Sequence, residues 1–92
     1  MDRKYVVVRT YSAGVHIGEL VRKEGKEVTL ANARRIWQWQ GANTLHEVAT
    51  AGVAKTSRIS VVVPEIELTE AIEVITCTPD ARAILEGIKW AS

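Results

Sequence analysis

Glu27-Val28-Thr29-Leu30-Ala31-Asn32-Ala33-Arg34-Arg35-Ile36-Trp37-Gln38-Trp39-Gln40-Gly41 is the stretch on which the fold turns. Its mixture of β-branched and aromatic residues predicts one long strand, from Glu27 to about Trp39. Strand side chains alternate with period two. Val28, Leu30, Asn32, Arg34 and Ile36 therefore share one face, and Ala33, Arg35, Trp37 and Trp39 the other. A strand this long bends, with Asn32-Ala33 as the expected place, and beyond a bend the phase can invert.

Working outward, Tyr5 to Thr10 is a first strand and Tyr11-Ser12-Ala13-Gly14 a turn. Val15 to Lys23 is a second strand, with Gly18 as a bulge or a point of close approach. Lys23-Glu24-Gly25-Lys26 is a hairpin signal leading into the long strand. On its far side Gly41-Ala42-Asn43 closes the strand. Thr44-Leu45-His46-Glu47 is then a capping box that opens a helix running to about Ala51 and stopped by Gly52. Arg58 to Val63 alternates as a half-buried strand ended by Pro64, and Glu65 to Thr76 is one strand or two, broken near Thr69. Thr78-Pro79-Asp80 starts a second short helix that Gly87 ends, after which Ile88 and Trp90 fold back onto the body.

Strands joined by short turns, without strand–helix alternation, predict a single α+β domain over residues 1–92. The expected architecture is a strongly bent or partly closed antiparallel sheet of five or six strands with two short helices.

A formal net charge of +1 gives no bulk attraction to nucleic acid or to an anionic membrane, so neither is expected as a partner. Cys77 is the only cysteine, which rules out an internal disulfide and fits a reducing compartment. The N-terminus runs straight into a strand without a signal-peptide core, and no segment is apolar enough to span a membrane, so a cytoplasmic location is expected.

Catalytic and metal chemistry finds no footing. His16 and His46 lie on different predicted elements and belong to no Cys/His cluster. Cys77 has no partner base and reads as structural. Glu65, Glu67, Glu70 and Glu73 follow the pattern of a solvent-facing strand. Phosphate-loop, dinucleotide and serine-hydrolase motifs are absent. The chain is therefore expected not to be an enzyme, and to carry neither metal nor cofactor.

The informative chemistry returns to the opening stretch, where two arginines adjoin two tryptophans. Indole faces stack on nucleobases, and arginine holds phosphate through paired N–H groups. Gln38 and Gln40 add polar groups, and Arg9 and Arg58 extend the positive patch. The same tryptophans, in a chain without Phe, are also the obvious material for a core or a subunit interface. The two readings are compatible if a ligand pocket lies between subunits.

Tyr5-Val6-Val7-Val8-Arg9-Thr10-Tyr11-Ser12-Ala13-Gly14-Val15-His16, Ala33-Arg34-Arg35-Ile36-Trp37, Gly41-Ala42 and Leu68-Thr69-Glu70-Ala71-Ile72-Glu73 resemble a family of small tailed-phage and prophage proteins of unknown function. The resemblance implies a phage origin, with the host cytoplasm as site of action, and carries no catalytic residues. It also draws His16, beside Tyr11 and Gly14, into the set of residues that could line a pocket. By analogy with small phage proteins that sequester a nucleotide immune signal, the expected function is that of a non-enzymatic homo-oligomer. Its partner would be a small anionic nucleotide-like ligand, held by Arg9, Tyr11, His16, Arg34, Arg35, Trp37 and Trp39. The alternative is an interaction module that binds a host or phage protein through its Trp-bearing face.

Overall fold

A computed structural model describes residues 3–89. Six strands and two helices follow in the order β1 (Tyr5–Thr10), β2 (Val15–Glu24), β3 (Glu27–Gln38), α1 (Leu45–Ala51), β4 (Arg58–Ile59), β5 (Val63–Leu68), β6 (Ala71–Thr76) and α2 (Pro79–Gly87). All pairings are antiparallel, in the order β4-β3-β2-β1-β6, with β5 also lying against β3. The α+β class, the six-stranded antiparallel sheet and the two short helices agree with the sequence.

The expectation of a strongly bent or partly closed sheet is overturned. β4 and β5 share the outer edge of β3, β6 lies outside β1, and among the described residues no ladder joins those two edges. The sheet is open and not strongly curled. The irregularity of the long strand is instead absorbed locally: Asn32 adopts φ 49°, and the β2–β3 register shifts between Ile17 and Glu19. Gly18 occupies that shift because a Cβ there would meet the Ala31 carbonyl and the Ala33 Cα, each at 3.1 Å.

The bulge at Asn32 inverts the phase of β3. Val28, Leu30 and Ala33 join Val6, Val8, Leu68 and Ala71 in one buried cluster. Ile36 joins Tyr5, Val7, Ile17, Ile59 and the helix residues Val48, Ala49 and Leu85 in the other. β1 feeds both clusters with alternate side chains, which is why Val6, Val7 and Val8 are all fully buried. Each such aliphatic side chain contributes about 1.5–3 kcal/mol relative to exposure.

The helices begin where the capping residues predict. The Thr44 hydroxyl accepts from the Glu47 N–H at 3.3 Å, and the Thr78 hydroxyl from the Ala81 N–H at 3.1 Å. Thr78 also donates to the Thr50 carbonyl at 2.6 Å, tying the start of α2 to α1.

Two further expectations change around β4. The alternating strand from Arg58 to Val63 shrinks to Arg58–Ile59, and Val61 and Val63 are exposed rather than half-buried. Pro64 does not end a strand but is the second residue of β5, a position an edge strand tolerates because one side of it forms no ladder. The fold-back of Trp90 lies outside the described residues, whereas Ile88 is buried in the helix-side cluster.

Candidate functional site

Arg34 and Arg35, adjacent on β3, face opposite sides, and the phase inversion decides which of them turns toward the helices. Arg34 turns inward and is 4% exposed; its Nε donates to the Ser60 carbonyl at 2.8 Å and a terminal nitrogen to the Leu85 carbonyl at 2.9 Å. Burial lowers its pKa, yet an arginine stays charged at any ordinary pH. The side chain holds the segment between β4 and β5 against α2, using two of its five N–H groups.

Arg35 points the other way and is exposed. Its main chain is fixed at both polar groups: its N–H donates to the Ser60 hydroxyl and its carbonyl accepts from the Ser60 N–H, each at 2.8 Å. The guanidinium lies over the β1–β2 turn, with Nε 3.8 Å from where a Cβ on Gly14 would stand. Gly14 takes φ 85°, a left-handed conformation that favours glycine. Among the described residues no carboxylate lies within ion-pair distance of Arg35.

His16 is the cross-strand neighbour of Arg35 and is 2% exposed. Its Nε2 stands 2.9 Å from the Ala13 carbonyl, which can only accept, so the ring proton sits on Nε2. Burial lowers the imidazole pKa; the Ala13 carbonyl opposes that shift and the nearby Arg35 charge adds to it. The folded state therefore prefers the neutral ring. Stability contributed by His16 is fully present above the unfolded value near 6.5 and is lost as pH falls toward the lower folded value. Urea unfolding across that window should show the loss in the wild type and a flatter profile in His16→Gln, which keeps an N–H for the Ala13 carbonyl. Equal slopes would remove the assignment.

His16, Arg34 and Arg35 together line a groove of about 280 Å³, completed by Ala33, Ser60, Val61, Val63 and Ile66. The lining thus combines cationic and aliphatic side chains. Trp37, two residues beyond Arg35 on the same face, is 48% exposed, and the Arg58 guanidinium sits 5.3 Å from its ring centroid.

The remaining candidates do not converge on this groove. Arg9 is engaged by Glu73 at 2.9 Å. Tyr11 is 78% exposed at the tip of the β1–β2 turn. Trp39 departs from the expected shared face of Arg35 and Trp37. β3 ends at Gln38, and the chain turns away as the Gln40 carbonyl accepts from the Ala54 N–H, so Trp39 packs half-buried against the helix-side core. Cys77 is likewise half-buried, and burial pushes its thiol up to about 11, well away from thiolate chemistry.

The groove wall of Ser60, Val61, Val63 and Ile66 escaped the sequence reading. Its signal was the run Val61-Val62-Val63: three consecutive valines cannot all face one core from a regular strand.

Among the described residues, no helix is long and apolar enough to cross a membrane, and no three His, Cys, Asp or Glu residues gather as metal ligands. Comparison with curated proteins and with solved structures returns no match. The profile of one domain family matches residues 3–85, nearly the whole chain, and the protein belongs to that family, described as a domain of unknown function (DUF6948).

Proposed function

We propose that the protein is a non-catalytic binding module that sequesters a small anionic, base-bearing ligand, such as a signalling nucleotide, as a homo-oligomer. The observation that carries this reading is Arg35: an exposed guanidinium, free of carboxylate partners among the described residues, in a groove that it lines together with the aliphatic side chains of Val61, Val63 and Ile66. A phosphate pairs with the guanidinium fork, and the apolar wall of Val61 and Val63 or the exposed part of Trp37 takes the base. Arg58, already stacked on Trp37, supplies a second positive charge beside it. His16, neutral and engaged by the Ala13 carbonyl, sets the turn beneath Arg35 and serves as a wall. The phage origin implied by the family resemblance suits such a role, with a host nucleotide signal as the ligand.

ADP serves as a probe. The reading expects ADP to bind without turnover, with affinity falling as salt rises, and to lose about tenfold or more in affinity in Arg35→Ala, the worth of one charge-assisted hydrogen-bonding pair. Binding that is unchanged in that variant, or hydrolysis of the probe, overturns it. Exposure of Trp37 together with Val61, Val62 and Val63 favours a second reading, in which this face binds a partner protein. A protein that binds neither ADP nor inorganic phosphate, and captures a defined partner that Trp37→Ala releases, would establish that reading instead.

A further inference from the structure

The outer edge of the sheet along residues 58–65 has an unusual order. β4 and β5 both hydrogen-bond inward to β3, and among the described residues no strand lies outside them. Between them the chain leaves the sheet, and Val61, Val62 and Val63 are 56%, 49% and 38% exposed. Adjacent branched aliphatic side chains on a free sheet edge form an association surface rather than scattered surface apolarity. Charge is distributed unevenly around this strip. Arg58 stands on its N-terminal side, and Glu65 and Glu67 on its C-terminal side; all three are exposed. Among the described residues none of the three is held in an ion pair.

We propose that this edge is a two-fold interface with a second copy of the chain, its axis passing between Val61 and Val62. Antiparallel apposition about that axis sets Val61 against Val62 of the other copy. Three residues farther out on each side, Arg58 stands against Glu65 of the second copy, and the symmetry repeats the pair. A parallel apposition loses this match and sets Arg58 against Arg58 and Glu65 against Glu65. Pro64 has no N–H to offer a neighbouring strand, so association rests on side-chain packing and the two ion pairs rather than on a continuous ladder.

The interface names the partner surface of the proposed oligomer and in that respect rests on the function given above, although its charge pattern stands independently. Val61 and Val63 belong both to the strip and to the wall of the Arg35 groove. A second copy seated on the strip therefore roofs the groove and shields a bound anion from water. One chain's groove, about 280 Å³, falls just below the usual range of about 300–1,000 Å³ for small-molecule sites.

Sedimentation equilibrium on the full chain tests the proposal, with circular dichroism confirming that each variant is folded. The wild type is expected to be a dimer, and Val62→Asp to shift it to monomer. Arg58→Glu and Glu65→Arg are each expected to weaken association about tenfold or more, and the double variant R58E/E65R to restore it. A monomeric wild type, a dimer indifferent to Val62→Asp, or single variants that the double variant fails to rescue would each overturn the interface. ADP binding measured on the wild type separates the two proposals, since Arg58 also belongs to the proposed ligand site. An intact, charge-swappable dimer without ADP affinity retains the interface and refutes the function.

Discussion

Arg34→Ala is expected to cost about 3 kcal/mol of folding stability, read as a fall in the urea midpoint at constant slope. The guanidinium is buried and bridges two carbonyls from distant parts of the chain, Ser60 before β5 and Leu85 in α2. Its removal leaves both acceptors short of a donor and opens a void between sheet and helix. Replacing a buried charge can also be favourable, because its desolvation cost disappears with it. Here the loss dominates, since the hydrogen bonds to those carbonyls vanish while the carbonyls remain. Arg34→Lys should recover less than half of the stability, as an ammonium cannot reproduce the planar fork that reaches both acceptors. A loss below about 1 kcal/mol in Arg34→Ala would mean that this side chain does not latch the segment to α2.

Ile59→Ala should destabilise the fold by a similar amount, about 3 kcal/mol, within the usual range for truncating a buried isoleucine. β4 is only Arg58–Ile59, and Ile59, fully buried in the helix-side cluster, is the anchor of that short strand. The consequence extends to the groove. Ser60 follows directly and fixes the main chain of Arg35 through two hydrogen bonds, while Val61 and Val63 form the wall. Hydrogen exchange should therefore show faster exchange of the Ser60 amide than in the wild type, and ADP affinity should fall together with stability. Loss of stability with an unchanged Ser60 amide would show that the groove wall does not depend on this anchor.

Much of the architecture was legible because local signals agreed with the global fold. The strand pattern of Tyr5–Thr10, the glycine at Gly18, the capping threonines Thr44 and Thr78 and the break near Thr69 all act over a few residues. What failed depended on longer range. Whether the sheet closes depends on which edges meet, and no local pattern encodes that. Pro64 locally signals the end of a strand, although an edge strand with one unpaired side accommodates it.

The site shows the same division. Arg34 and Arg35 are adjacent, so they face opposite sides, and a single bulge decides which of them is buried. The sequence marked Asn32-Ala33 as the place of irregularity but not its effect on the two guanidinium groups. Trp39 followed Trp37 in phase only for as long as the strand continued, and β3 ends between them. The candidate set thus contracts to His16, Arg35 and Trp37 and gains Arg58 and the valine wall.

Native mass spectrometry of gently purified protein, wild type beside Arg35→Ala, tests the central claim most directly because it reads subunit number and retained ligand together. The account predicts a wild-type oligomer carrying a nucleotide-sized mass that is released chemically intact on denaturation, and an Arg35→Ala oligomer of the same size without it. A wild-type protein that carries no such mass and takes up no added ADP, or an Arg35→Ala protein that retains the ligand as fully as the wild type, would contradict it.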